Sequence, residues 1–354
     1  MKKMNDKKIV DLRSDTVTKP SPQMWEALRA LNNDALGDDV MREDPTINRL
    51  EKKAAELFDK EAALLVTSGT QGNLLSVLTH TQPGDEILVE EEGHIYAHEV
   101  GGAARLGGVM LRTYPSHKGY PDLEKLQGLV REKEDIHEPP TTLLCTENTH
   151  NFHGGVVLEP KKLANLKRFA DENELKLHID GARIFNASVA LKTPVSKFAQ
   201  YADSVMFCLS KGLSAPIGSM IVGSHEFIEK ARKFRKMVGG GMRQAGIIAV
   251  FGLEALKSDW ISRLEEDHKK AKLLAKGIRD LGLPLEVQTP QTNILMVQFP
   301  KTAPMGKIIR NLSEKGILAF DIDHKIRFVT HYGIKEKHVD YSVKIINSVL
   351  RDIL

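Results

Sequence analysis

The stretch SVMFCLSKGLSAPIGSMIVG, residues 204–223, contains two continuous apolar runs that are separated by only eight residues. Continuous apolarity, without the alternation of a half-exposed strand, predicts strands that are covered on both faces. The gap between the runs is too short for a helical crossover, so we expect the two strands to be antiparallel.

Five further apolar runs precede this pair, and segments of helical period separate most of them. In residues 46–58, for example, Ile47, Leu50 and Phe58 share one face of a helix. The alternation predicts an α/β fold with a large, mainly parallel, seven-stranded sheet. The five runs are AALLVT at 62–67, EILVE at 86–90, VMLRTY at 109–114, TTLLCTE at 141–147 and LKLHID at 175–180.

The pattern changes after about residue 256, where a long charged helix leads into alternating short strands and helices. This mixture indicates a smaller α+β domain. We therefore predict three parts: an N-terminal segment at 1–45 that packs with the small domain, a large domain at 46–255 and a small domain at 256–354.

The composition is that of a globular protein, since 41% of the 354 residues are hydrophobic and the net charge is +3. This near-neutral charge favours neither nucleic acid nor an anionic membrane as a partner. The basic first ten residues lack an apolar core, which predicts no secretory leader, and no apolar run approaches the length of a membrane span. Cys145 and Cys208 lie inside apolar runs, which predicts buried free thiols and a cytoplasmic protein, with no metal site.

Polar residues follow several of the predicted strands directly. Ligands of open α/β sheets bind outside the carboxyl ends of the strands, so these residues are the first candidates for chemistry. They are Ser68, Gly69, Thr70, His94, Glu147, Asn148, Asp180, Ser210 and Lys211.

Lys211 and Asp180 both have a structural and a functional interpretation. Lys211 is either a surface lysine or a partly buried amine that can form an imine. Asp180 either pairs with Arg183 at a strand–loop junction or keeps a pyridine nitrogen protonated. Pyridoxal phosphate (PLP) needs both an amine and such an acid. The two residues are 31 positions apart, which leaves room for one strand–helix–strand connection back to the same sheet edge.

A phosphate group needs backbone N–H donors, and TSGTQGN at 67–73 lies between a predicted strand and a predicted helix. Such turns are common, so this loop alone does not distinguish a phosphate site from an ordinary connection. His94 is either a structural histidine or a ring that stacks on a cofactor.

Eight motifs resemble, in this order, the low-specificity L-threonine aldolases. These enzymes are β-eliminating lyases of the aspartate-aminotransferase-like class, PLP fold type I. The resemblance spans residues 9–332, and HIDGARIFNA and FCLSKGLSAPIGS are its most specific blocks. The motifs are DLRSDTVTKPS, EDPTINRLE, SGTQGN, ENTHNFHGG, HIDGARIFNA, VMFCLSKGLSAPIGS, KMVGGGMRQAG and IRFVTH.

The resemblance implies a role for each matching residue. Lys211 would form the imine with PLP, Asp180 would bind the ring nitrogen, and His94 would stack on the ring. Gly69 and Thr70 would bind the phosphate. Ser14, Arg183 (which also borders the cofactor) and Arg327 would bind the substrate carboxylate. Lys236 and Arg243 would contact the cofactor region of a neighbouring subunit, and His137 and His94 would contact the substrate hydroxyl.

The activity implied by the resemblance is cleavage of L-threonine or L-allo-threonine to glycine and acetaldehyde by a homotetramer built from dimers, with residues 1–45 at the dimer interface. Another PLP lyase reaction, β-elimination or serine cleavage, is the alternative. A non-catalytic protein is disfavoured because the whole residue set is present, and a dinucleotide-binding dehydrogenase because no G-x-G-x-x-G follows the early strands. The chain departs from the family where Met41 and Arg42 replace Tyr-Gly, near the site in relatives.

Overall fold

Helices and strands alternate along most of the chain in the structure, a computed structural model that describes residues 9–353. Residues 1–8, on which the prediction of no secretory leader rests, lie outside the described part, as does residue 354. The strands are β1 Val10–Asp11, β2 Ala62–Val66, β3 Glu86–Glu90, β4 Met110–Tyr114, β5 Ser116–His117, β6 Tyr120–Pro121, β7 Thr141–Glu147, β8 Lys176–Asp180, β9 Ser204–Cys208, β10 Ser219–Gly223, β11 Glu286–Val287, β12 Ile294–Gln298, β13 Ile317–Leu318, β14 Phe320–Ile322 and β15 Lys325–Val329. The helices are α1 Pro22–Arg29, α2 Pro45–Phe58, α3 Gly69–His80, α4 His94–Ala97, α5 Gly102–Gly107, α6 Leu123–Gln127, α7 Pro160–Glu172, α8 Ile184–Leu191, α9 Ser196–Ala199, α10 His225–Met237, α11 Gly246–Ala255, α12 Ser258–Ser262, α13 Leu264–Arg279, α14 Met305–Glu314 and α15 Glu336–Arg351.

The large sheet has seven strands in the order β2-β10-β9-β8-β7-β3-β4. Strand β10 is antiparallel to both of its neighbours, β9 and β2, whereas the other neighbouring pairs are parallel. The predicted seven-stranded, mainly parallel sheet and the predicted antiparallel pair at 204–223 are therefore confirmed.

A second, four-stranded sheet follows the large one in sequence. Its strands are all antiparallel in the order β11-β12-β15-β14, and α13, α14 and α15 contact this unit. The N-terminal strand β1 pairs in parallel with β13, and Val10 and Leu12 are buried in the same apolar core. Residues 10–12 thus pack on the C-terminal unit, while the domain boundaries at 45 and 255 remain predictions.

The strands of the large sheet are largely buried on both faces because helices cover them, except for the edge strand β4, where Met110 is exposed and only Tyr114 is buried. Side chains of β8 and β9 such as Leu177 and Val205 belong to the main core, while Met206 and Cys208 face a second core formed with α3 and α10. Cys145 and Cys208 are both free and buried, as predicted. Within residues 9–353, none of the helices combines the length and the apolarity that a membrane crossing requires.

The parallel strands β7, β8 and β9 end at the same edge of the large sheet. Register places Glu147 beside Asp180 and Asp180 beside Met206. This alignment brings side chains that are distant in sequence to one side of the molecule, which is where a ligand site is expected in this architecture.

Candidate active site

A cleft of about 510 Å³ opens at the carboxyl edge of the sheet. Segments that are far apart in sequence meet there: the N-terminal segment, the ends of β7 and β8, the loop after β9, and β14 with β15. Seven residues that the sequence analysis singled out line it, namely Ser14, His94, Glu147, Asp180, Arg183, Lys211 and Arg327.

Asp180 is fixed by two hydrogen bonds at the end of β8. Its Oδ1 accepts from the Ala182 backbone N–H at 3.0 Å, and its Oδ2 accepts from Asn73 Nδ2 at 2.8 Å. The side chain does not pair with Arg183, so the structural interpretation as a strand–loop ion pair is not supported. Asp180 is 2% exposed and presents a preorganised acceptor to the cleft.

Lys211 lies just after β9, in a loop whose backbone is held in place. Its carbonyl oxygen accepts hydrogen bonds from Thr18 Oγ1 at 2.8 Å and from the Ser214 backbone N–H at 2.9 Å. Among residues 9–353, no hydrogen bond or ion pair of the Lys211 amine is formed, and the side chain is half-buried on the cleft wall. The amine is therefore available to a ligand.

Arg183 lies at the cleft wall but is already paired. Its Nε and Nη2 donate to the two carboxylate oxygens of Asp15 at 2.9 and 2.7 Å, and its Nη1 donates to Asn151 Oδ1 at 3.2 Å. Three of the five N–H groups of this guanidinium are used in this way, which leaves two for a ligand. The sequence analysis did not foresee the partner, Asp15, although it directly follows Ser14 in the DLRSDT motif.

Arg327 is the more available of the two guanidiniums. Its Nη1 donates to Asn151 Oδ1 at 3.0 Å and its Nη2 to the Arg13 carbonyl oxygen at 3.2 Å, while its buried Nε has no partner among the described residues. Burial, followed by the charge of Arg183, lowers the pKa of Arg327 to about 10, so it stays charged at neutral pH. Nη1 and Nη2 each keep one unused N–H group, and no carboxylate among residues 9–353 pairs with Arg327, so a ligand carboxylate would supply its counter-charge.

Ser68, Gly69 and Thr70 form the start of α3 at the same edge of the sheet. The Ser68 hydroxyl caps the helix by accepting from Gln71 N, and the backbone N–H groups of Gly69 and Thr70 have no hydrogen-bond partner among residues 9–353. A Cβ on Gly69 would lie 3.0 Å from Cys208 Sγ, so the helix start packs directly on the end of β9. Free N–H groups at a helix start are suited to a phosphate.

His94 begins α4 beside the cleft. Its backbone N–H donates to Glu147 Oε2 at 3.0 Å, and its ring Nδ1 lies 2.9 Å from Glu99 Oε1. Burial opposes the charged ring, yet the hydrogen bond to Glu99 and the charge of Asp180 outweigh it and raise the pKa of His94.

Five of the residues that the resemblance implied do not line the cleft of their own chain: Gly69 and Thr70 at the start of α3, and His137, Lys236 and Arg243. His137 is exposed in the loop before β7, at the opposite end of that strand from Glu147. Lys236 is exposed at the end of α10, and Arg243 is exposed and pairs with Asp38 Oδ2 at 2.6 Å. Their roles remain predictions, because the structure contains a single chain.

The departure from the family at residues 41 and 42 places a non-glycine residue in a left-handed backbone conformation. Arg42 adopts a left-handed backbone with φ 62°, a conformation that favours glycine, which is the residue usual in the family. Its side chain pairs with Glu229 on α10, and Met41 is 66% exposed. Neither side chain lines the cleft of its own chain.

Several cleft residues had no clear sequence signal. His98 and Phe152 stack with ring centroids 4.6 Å apart at the cleft wall, and Asn151 bridges both guanidiniums. Asn151 was detectable only as part of the polar run ENTHN after β7. Asn73 and Glu99, which lie behind Asp180 and His94, carried no signal.

Comparison with known proteins agrees with this architecture. The chain matches the beta-eliminating lyase family over residues 11–302. It is 44% identical to low-specificity L-threonine aldolase 1 of Arabidopsis thaliana, with 94% of each chain covered, and 41% identical to the low specificity L-threonine aldolase of Escherichia coli K12, with 94% of this chain and 96% of that one covered.

Solved structures share the fold at much lower identity. A threonine aldolase of Leishmania major superimposes with a TM-score of 0.82 at 20% identity, covering 96% of this chain and 99% of that one. A serine palmitoyltransferase of Sphingomonas wittichii does so with a TM-score of 0.77 at 18% identity, covering 97% and 88%.

The fold is that of the PLP-dependent enzymes of fold type I. Within that class, the chain belongs to the beta-eliminating lyase family and, inside it, to the low-specificity L-threonine aldolases.

Proposed function

We propose that this protein is a PLP-dependent aldehyde-lyase that cleaves L-threonine and L-allo-threonine to glycine and acetaldehyde. The observation that carries the proposal is the shared cleft of Lys211, Asp180 and Arg327: an unpaired amine, a fixed carboxylate and a guanidinium that no carboxylate among residues 9–353 neutralises. The named activity of the related enzymes from plants and bacteria supports the same reaction.

The residues at the cleft fit PLP. Lys211 would bind its aldehyde carbon, Asp180 its ring nitrogen, and His94 would stack on the ring. The free N–H groups of Gly69 and Thr70 would hold its phosphate. When bound, PLP supplies an electron sink for the bond that breaks at Cα.

A substrate carboxylate fits between Ser14, Arg183 and Arg327. Arg327 offers one unused N–H group on each of Nη1 and Nη2, Arg183 offers its two remaining N–H groups, and Ser14 lines the same cleft. Two guanidiniums that share Asn151 as a partner are held in a fixed relation to each other, so they can orient the Cα–Cβ bond of the substrate.

The cleavage step transfers one proton away from the β-hydroxyl while Cα–Cβ breaks, and a proton later returns to Cα. His94 is placed to receive the first proton because it lines the cleft. His137 lies outside the cleft of its own chain, so its proposed contact with the substrate would require a neighbouring subunit.

We also propose a cytoplasmic homotetramer built as a dimer of dimers, with residues 1–45 at the dimer interface. Lys236 and Arg243 are exposed and do not line the cleft of their own chain, and a neighbouring subunit would bring them to a cofactor region. Between α4 and the end of α5, Val100 is 100% exposed and Leu106 is 56% exposed, which suits a subunit contact.

The test of the activity is a visible spectrum of the purified protein and a product assay with L-threonine. We expect a yellow protein that forms glycine and acetaldehyde in equal amounts, whereas pyruvate and ammonia would indicate β-elimination instead. Lys211→Ala should lose both the visible band and nearly all turnover. Full activity in Lys211→Ala would contradict the assignment.

A further inference from the structure

Behind His94 lies a buried carboxylate that the proposed chemistry does not yet use. Glu99 is 6% exposed and does not line the cleft. Its Oε1 accepts hydrogen bonds from His94 Nδ1 at 2.9 Å and from Asn73 Nδ2 at 2.7 Å. The imidazole is therefore held from the protein side, with its other nitrogen left toward the cleft.

The position of Glu99 is fixed by Asn73. The amide group of Asn73 donates to Glu99 Oε1 and, at 2.8 Å, to Asp180 Oδ2, so both carboxylates share one amide nitrogen. Its oxygen faces His178 Nε2 at 3.1 Å. Burial lowers the pKa of His178 to about 4, which keeps that ring neutral, and Ser204 Oγ contacts its other nitrogen at 2.8 Å.

This network defines which way the Asn73 amide points. Flipping it would set its oxygen against two carboxylates, and moving Glu99 away would leave a buried N–H unpaired. Glu99 and Asp180 are thus held in a fixed relation by a polar network in the protein interior. Buried networks whose members are satisfied in this way rigidify the groups they hold.

We propose that Glu99 is a positioning residue that keeps the proton of His94 on Nδ1 and leaves Nε2 as the acceptor of the β-hydroxyl proton. This inference rests on the proposed aldol cleavage. Nε2 has no hydrogen-bond partner among residues 9–353, and His94 lines the cleft. A carboxylate behind an imidazole fixes its tautomer and stabilises the imidazolium that forms.

The proton balance of the step is complete. Nε2 of His94 takes the hydroxyl proton, the oxygen becomes the carbonyl of the leaving aldehyde, and the electron pair of the broken Cα–Cβ bond stays with the glycine fragment until Cα gains a proton. The charged and titratable groups that face His94 are Glu99, His98, Glu147, Asp180 and Lys211. Of these, Glu99 makes the direct contact with Nδ1.

The test compares Glu99→Gln with Glu91→Gln in the cofactor-loaded enzyme. Glutamine keeps the size of Glu99 and an oxygen for Asn73, but it removes the charge behind His94. We expect kcat for L-threonine to fall about 100-fold, the lower end of what a general base contributes. We also expect the acidic limb of the pH profile to move to lower pH, because His94 loses the carboxylate that favours its charged form.

Glu91 is the matched control because it is exposed and lies in the same segment before His94. Glu91→Gln should keep the kcat and pH profile of the unmodified enzyme. Glu99→Asp retains the charge at a shorter reach, so its acidic limb should stay near that of the unmodified enzyme while kcat falls. A Glu99→Gln enzyme with unchanged kcat and an unchanged acidic limb would overturn the proposal.

A second measurement separates this inference from the proposed function. Exchange of the glycine α-proton in D2O needs the cofactor and the carboxylate grip but no base for a hydroxyl group. We expect Glu99→Gln to keep this exchange at the normal rate. Equal loss of exchange and cleavage would overturn the positioning role, whereas an unmodified enzyme without either reaction would overturn the proposed function itself.

Discussion

Arg183 and Arg327 illustrate how residues of one type acquire different roles from their contacts. Both guanidiniums are buried beside the cleft and both touch Asn151. Arg183 is held by a bidentate ion pair with Asp15, whereas the Nε of Arg327 has no partner within residues 9–353. A bound carboxylate would therefore stabilise Arg327 more than Arg183, which acts mainly as a rigid part of the same site.

We expect Arg327→Lys to raise KM for L-threonine about 30-fold, the equivalent of about 2 kcal/mol for a lost hydrogen bond to a charged group. Lysine keeps the positive charge but lacks the planar fork that can bind a carboxylate through two parallel hydrogen bonds. Steady-state kinetics measure the change. Arg310→Lys, on the exposed side of α14, is the control and should leave KM unchanged. An unaltered KM in Arg327→Lys would remove this residue from the substrate site.

At the scale of elements, the start of α2 is a junction of several loops. Asp44 is 0% exposed and its carboxylate accepts four backbone N–H groups. Thr46 and Ile47 donate to Oδ1, both at 3.0 Å, and Gly37 and Gly246 donate to Oδ2 at 3.2 and 2.9 Å. One side chain thus caps α2 and ties it to α11.

We expect Asp44→Ala to lower the free energy of unfolding by about 2–4 kcal/mol, because it removes a helix cap and leaves further buried N–H groups unpaired. Urea denaturation at equal protein concentration measures the loss. Ser21→Ala is the comparison: Ser21 caps α1 through a single bond to Met24 N, so its loss should cost about 1 kcal/mol. Equal costs for the two variants would show that the additional bonds of Asp44 contribute nothing.

The elements differ in how far the sequence could predict them. Six strands of the large sheet were predictable because burial on both faces requires nearly uninterrupted apolar runs, and α2 because its apolar face repeats at helical spacing. The edge strand β4 is only partly buried and was predictable as a short run between two helical segments. The pairing of β1 with β13 was not predictable in register, since two-residue strands carry no period. Asn73 and Glu99 were missed for a related reason. The sequence alone predicts that a polar residue inside or beside a helix is exposed to solvent, and only tertiary packing shows that these two are buried.

At the scale of the whole molecule, the N-terminal segment connects the two folded units across the cleft. Asp15 pairs with Arg183 after β8 and accepts from Asn293 Nδ2, just before β12, at 3.2 Å. Thr18 Oγ1 bonds the Lys211 carbonyl oxygen. Residues that shape the cleft therefore also hold the two units together, which explains why site and fold cannot be altered independently here.

We expect Asp15→Asn to lower the free energy of unfolding by about 3–5 kcal/mol at neutral pH, because Arg183 is left buried without its counter-charge. Burial opposes the charged carboxylate, but the Arg183 guanidinium outweighs it and holds the pKa of Asp15 below its usual range. A carboxyl with a depressed folded-state pKa stabilises the fold above its unfolded pKa, about 3.9, and this contribution is lost as pH falls below that value. The difference in free energy of unfolding between the unmodified enzyme and Asp15→Asn should therefore be smaller at pH 3 than at pH 7. Urea denaturation midpoints at both pH values measure this difference in stability. Asp340→Asn, on the exposed face of α15, is the control. A stability difference at pH 3 as large as that at pH 7 would contradict the ion pair as its cause.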